Sequence, residues 1–265
     1  MGDNGRRMLG IALALVVLAP ATPAPAFDAS VKTLESRPGV TESFLLVRPE
    51  GPPVASVILL SGGNGVVFLN RYGPRWTHGN FLVRSRDLFA GEGLLVAVLD
   101  VPSDRGAGYG RFRVSKEHAQ DVAAVIANLR TLAPVPVWLV GTSKGTVSAA
   151  FVAGLLQQNG PDGVVLTSSI TDRSRETTET VLDADLDKIR VPTLIVHHKQ
   201  DGCVVTRYNS ARLLPAELKR SPRKEFVGFE GGVSVGDPCE ALAYHGYNGI
   251  EREVVHAIAT WIKTK

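Results

Sequence analysis

VPVWLVGTSKGTVSAAFVAGLLQQ, residues 135–158, changes its period halfway. The first half is apolar and β-branched, as a strand covered on both faces is, and the second half carries small and apolar residues at helical spacing. The join is Gly141-Thr142-Ser143-Lys144-Gly145, a G-x-S-x-G pattern. A strand that turns directly into a helix through such a pentapeptide holds its serine on a sharp turn with the hydroxyl presented, and the glycines leave room for close passage of helix and strand. Ser143 is therefore the candidate nucleophile. A second match, GVSVG at 232–236, follows the last strand candidate and runs into turn-rich DPCEALAYHGYNG, so Ser234 reads as a loop serine.

Outward from this stretch the same alternation continues. Apolar runs bounded by Gly and Pro recur at 43–49, 54–63, 93–102, 163–169, 192–201 and 224–232, and segments with helical apolar spacing lie at 80–92, 116–132, 206–218 and 250–264. Strands alternating with helices predict an α/β fold, a mainly parallel sheet of about seven or eight strands flanked by helices on both faces. With 44% hydrophobic and 21% charged residues in 265, one sizeable core is expected. A net charge of +3 without long basic runs gives no case for a nucleic-acid partner.

Arg6 and Arg7 precede an apolar run of about 12 residues that ends at Pro20, and Ala24-Pro25-Ala26 follows as an A-x-A cleavage site. Residues 1–26 are expected to be a secretory signal and 27–265 a single domain, the mature chain starting near Phe27. The run is short for a spanning helix, so contact with a membrane is expected only in transit, toward a periplasm or the outside of the cell. The paired Arg is a partial twin-arginine signal, and the export route stays open. In an oxidising compartment Cys203 and Cys239 can pair only with each other; the alternative is two buried thiols.

A nucleophilic serine needs a base and an acid to orient it. His245, in AYHGYNG before the final helix, is the one histidine that follows the last strand and lies outside a helix; His256 and His118 fall in helical segments, His78 in a loop before the serine, and His197 and His198 on a strand. Asp201 ends PTLIVHHKQD at the C-terminal edge of a late strand, where catalytic groups gather in open α/β sheets. Asp172 and Asp237 are its rivals. A bridge from Cys203 to Cys239 would tie the Asp201 loop to the His245 loop.

With GTSKG at an elbow, HHKQD ending a late strand and YHG before the last helix, in that order, nearly all of the mature chain resembles the α/β-hydrolase fold superfamily. The resemblance implies hydrolysis of an ester, thioester or amide through an acyl-serine intermediate, with no metal or organic cofactor. It further implies an oxyanion hole of two backbone amides, that of Lys144 after the nucleophile and one from SGGNG at 61–65, with Gly63 the first choice and Asn64 the second. Ser61 stands where the family often has His.

The segment 171–191 is too short for a large cap domain, which predicts an open site. Phe68, Tyr72 and Trp76, in the longest loop, are candidates to line a substrate pocket. Arg105, with Arg111 and Arg113, follows the strand at 93–102, on the edge of the sheet that carries the elbow, and arginines at the mouth would favour a small acyl substrate that is anionic. An exported esterase for small or medium acyl groups is the leading expectation. A peptidase, amidase, thioesterase or dienelactone-type hydrolase on the same residues is the second, and a noncatalytic binding protein that keeps the fold the third.

Overall fold

The structure is a computed structural model that describes residues 1–2, 27–70, 72–74 and 79–264. The expected signal segment lies outside the described residues except for Met1 and Gly2, and so does Trp76. Strands are β1 (Ala29–Arg37), β2 (Val40–Val47), β3 (Ala55–Leu60), the short pair β4 (Leu69–Asn70) and β5 (Gly73–Pro74), β6 (Leu94–Leu99), β7 (Val137–Thr142), β8 (Gly163–Thr167), β9 (Thr193–His198) and β10 (Lys224–Phe229). Helices are α1 (Phe81–Arg84), α2 (Arg86–Gly91), α3 (Lys116–Leu132), α4 (Lys144–Leu155), α5 (Tyr208–Ala211), α6 (Leu214–Glu217) and α7 (Glu251–Lys263).

Eight strands form one sheet in the order β1-β2-β6-β3-β7-β8-β9-β10. The β1–β2 and β2–β6 pairs are antiparallel and every pair from β6 onward is parallel. Alternation along β3 divides the core: Ile58 and Leu60 face a layer containing α3 and α4, while Val57 and Leu59 face one containing α1, α2 and α7. Both faces are covered, which is why β3, β6, β7, β8 and β9 are buried along their whole length.

Three expectations are corrected. β1, ASVKTLESR, is a strand that apolar runs do not reveal, because an edge strand half-open to solvent needs no continuous apolar face. The helix expected over 80–92 breaks at Ser85 into α1 and α2. The one expected over 206–218 divides into two short turns, because Pro215 has no N–H to give the carbonyl of Ala211 and so cannot continue a helix through it. Among the described residues no helix is long and apolar enough to cross a membrane.

Candidate active site

Ser143 stands between β7 and α4 with φ 52° and ψ −126°, a conformation that L residues rarely adopt and that the surroundings must impose. Its N–H is held by the Thr167 carbonyl (3.0 Å), and its carbonyl accepts from both the N–H (2.9 Å) and the hydroxyl (2.6 Å) of Thr146. The flanking glycines are required by space. A Cβ on Gly141 would stand 2.4 Å from the Gly145 carbonyl oxygen, and one on Gly145 would stand 2.0 Å from that of Leu60. Ser234, by contrast, lies on an exposed loop and does not line the cleft that holds Ser143.

Asp201 follows β9 at the C-terminal edge of the sheet, and its side chain is fully buried. Its Oδ2 accepts from His245 Nδ1 (3.0 Å) and from the Thr206 hydroxyl (2.9 Å), and its Oδ1 accepts from the Cys203 N–H (3.0 Å). His197 Nε2, donating to the Thr206 carbonyl at 2.6 Å, lies 3.3 Å from the same Oδ2. Burial alone would raise the Asp201 carboxyl, but the hydrogen bonds of His197 and His245 outweigh it and hold the group well below the usual carboxylate range. The carboxylate is thus an anion with an imidazole on either side. Sequence reading placed His197 on a strand and gave it no part in the site. Its place four residues before Asp201 is the signal that could have joined them.

His245 is 5% exposed and sits on a 3₁₀ turn, Tyr244–Gly246. Its carbonyl accepts from the Ser168 hydroxyl (2.8 Å), and the next anchor is Tyr247, whose hydroxyl accepts from the Ser168 N–H (3.1 Å) and donates to the Val196 carbonyl (2.9 Å). The ends of β8 and β9 therefore fix the imidazole from behind, while Asp201 fixes it in front. With Nδ1–H turned to Asp201, Nε2 is the nitrogen left to accept a proton. Neither Ser143 Oγ nor His245 Nε2 has a hydrogen-bond partner among the described residues, and both side chains border one cleft of ≈ 660 Å³. Asp172 instead faces Thr171 and Arg207, and Asp237 caps the Cys239 N–H (2.8 Å).

Cys203 and Cys239 form a disulfide across 36 residues of chain, joining the Asp201 loop to the His245 loop. Gly63, Asn64 and Lys144 line the cleft beside Ser143, as does Gly62, where a Cβ would come within 3.0 Å of the Ser143 Cβ. The Lys144 amide begins α4 and so has no intrahelical acceptor.

The expected substrate residues are placed differently. Phe68 (54% exposed) and Tyr72 (82% exposed) do not line the cleft. Its apolar wall comes instead from Val66, Val67, Phe81, Ile170, Val204 and Val205. Arg105 lies over the Phe112 ring at 4.3 Å and Arg111 approaches Glu179 at 3.4 Å, both away from the cleft, and Arg113 is buried. The 3₁₀ turn Gly110–Val114 carries Arg111 outward to solvent and Arg113 into the interior. Besides the imidazole of His245, the acidic and basic side chains lining the cleft among the described residues are Lys144, Glu176, Asp237 and Glu240. Among the described residues no cluster of His, Cys, Asp or Glu could hold a metal ion.

No protein-family model and no curated protein matches the chain. Solved structures do. An esterase from Pyrococcus furiosus superposes with a TM-score of 0.65 at 13% identity, covering 89% of this chain and 91% of its own. An alpha-beta serine hydrolase homologue from Coxiella burnetii gives 0.61 at 17% identity, over 90% of this chain and 100% of its own. A dienelactone hydrolase from Anabaena variabilis gives 0.60 at 15% identity, over 89% and 97%. Strand order, elbow and these likenesses lead to one conclusion: the chain has the α/β-hydrolase fold.

Proposed function

We propose that the protein is a serine hydrolase that cleaves carboxylic esters of small or medium acyl groups, with Ser143 as nucleophile, His245 as base and Asp201 as the acid that orients it. The observation that carries this reading is the shared cleft: a strained serine with an unpartnered hydroxyl opposite an imidazole whose far nitrogen is held by a buried carboxylate. Ser143 Oγ attacks the acyl carbon and its proton passes to His245 Nε2; the alcohol leaves with that proton, and a water repeats the sequence to free the acid. Asp201 stabilises the imidazolium in both halves. The amides of Lys144 and of Gly63 or Asn64 receive the oxyanion.

The apolar wall supports an aliphatic or aryl acyl group, and three acidic side chains on the cleft, Glu176, Asp237 and Glu240, against one lysine, Lys144, favour a neutral ester over an anionic one. The esterases among the structural neighbours support the same reaction class. Export is proposed from the N-terminal segment together with the disulfide, which an oxidising compartment preserves.

The test is a fluorophosphonate adduct located by peptide mapping, with turnover of neutral p-nitrophenyl esters alongside. One adduct on Ser143 is expected, Ser143→Ala abolishing nearly all turnover and Ser234→Ala leaving it near normal. An adduct on Ser234, or none on folded protein, would overturn the assignment.

A further inference from the structure

We infer that Arg113 is a positioning residue of the oxyanion hole, its guanidinium gripping the carbonyls of the loop 61–65 so that the loop's amides face the reacting oxygen. The inference rests on the serine-hydrolase reading above. SGGNG has almost no side chain with which to fix itself, yet all five of its carbonyls are held. Arg113 Nη2 donates to Ser61 O and Gly63 O (3.2 Å each), Gly65 N–H to Gly62 O (3.1 Å), Tyr109 N–H to Asn64 O (2.8 Å) and the Ser61 hydroxyl to Gly65 O (3.1 Å).

In a trans peptide the carbonyl and the following N–H point in opposite directions. With the carbonyls of Ser61 and Gly63 turned to Arg113, the amides of Gly62 and Asn64 are turned away from it. The amides of Gly62, Gly63 and Asn64 make no hydrogen bond among the described residues, and all three residues line the cleft with Ser143. Arg113 Nη1 also donates to the Ser148 hydroxyl (3.0 Å) on α4, the helix that begins with the Lys144 amide. One guanidinium thereby braces both halves of the hole.

Space filling does not account for an arginine here. Arg113 is 4% exposed, and no carboxylate lies within salt-bridge distance of it among the described residues. A buried cation without a counter-ion is costly unless its donors are used. Burial lowers its pKa to about 10, so it remains charged at neutral pH. Its plane lies over the Tyr109 ring (4.7 Å), and the loop is shaped to this pair: a Cβ on Gly65 would stand 2.2 Å from Tyr109 Cδ2 and 2.9 Å from Arg113 Nη2. A cation on a carbonyl also polarises the peptide and strengthens the N–H at its other end as a donor.

The test uses the full chain, p-nitrophenyl butyrate as substrate and butylboronic acid as a tetrahedral probe. Arg113→Met is expected to lower kcat about 100-fold, as loss of one oxyanion donor does, with KM within about threefold and boronate affinity falling in parallel. Arg113→Lys, whose single ammonium keeps the charge but not the two-carbonyl grip, is expected to recover about tenfold of that loss. If Arg113→Met does not fold, Arg113→Lys decides alone, by a kcat loss of about tenfold with a matching loss of boronate affinity. Unchanged kcat and boronate affinity in the folded variant overturns the inference and leaves the hydrolase reading standing. Activity that falls only with the folded fraction, boronate affinity per folded molecule being unchanged, overturns it too. A wild-type chain that is not labelled at Ser143 overturns both.

Discussion

Opening the Cys203–Cys239 bridge isolates what the covalent link between the Asp201 and His245 loops contributes. The closed loop spans a sequence separation of 36, for which the chain-entropy relation gives about 4 kcal/mol of stabilisation at 25 °C. For a domain of this size each kcal/mol moves the melting midpoint by roughly 2–4 °C, so reduction is expected to lower it by about 8–16 °C. Urea unfolding of oxidised protein, reduced protein and Cys203→Ala/Cys239→Ala measures this. Reduction retains both sulfur atoms and so separates the link from the packing of Cys203, which is buried in the core. Turnover should respond far less. His245 keeps its anchors on Ser168 and Asp201, so kcat at 25 °C is expected to stay within about threefold. Two results would refute the reasoning: midpoints that coincide in oxidised and reduced protein, or a collapse of turnover with stability unchanged.

Asp201→Asn is expected to lower kcat by about 10⁴-fold, because an amide can offer its N–H to His245 and favour the wrong tautomer; near-normal turnover would assign the orienting role elsewhere. Glu42 is fully buried with no hydrogen-bond partner on either oxygen among the described residues, and burial first, with Asp121 and Asp100 adding to it, pushes its carboxyl up to about 9. Folding therefore binds a proton at neutral pH, and this cost grows as pH rises from about 4.5 to 9, by at most ~1.4 kcal/mol per pH unit. Glu42→Gln should accordingly gain stability with rising pH over that window and gain none below about pH 4; urea midpoints across pH would show it, and a pH-independent gain would contradict it.

The sheet's centre and the elbow were legible because both are written locally. Buried parallel strands such as β3 and β7 are apolar throughout, and Gly141 and Gly145 mark the close passage directly. Ser143, Asp201 and His245 were singled out from the ends of the elements that carry them; the structure sets Ser143 and His245 on one cleft and Asp201 in hydrogen-bond contact with His245. What escaped depends on side-chain direction or on solvent. β1 pairs along an edge with polar residues outward. Arg105, Arg111 and Arg113 look alike in sequence, yet the tight turn starting at Gly110, itself at φ 47°, sends the last of them inward to the carbonyls of the loop 61–65. Phe81 belonged to a helix expected to pack and instead also borders the cleft, while Phe68 and Tyr72, expected to line it, do not.

The order of strands has a consequence for when the proposed activity arises. From β7 onward each new strand joins the outer side of the one before it, so β8, β9 and β10 extend the sheet toward one edge as the chain is made. The serine is set in the middle of the sheet, the carboxylate near that growing edge, and the imidazole arrives only after every strand is in place. On the proposed assignment, a nascent or partly folded chain would carry Ser143 in place without His245. Local opening of the β9–β10 edge would return a folded molecule to the same dormant condition, so the proposed hydrolysis would wait on completion of the fold.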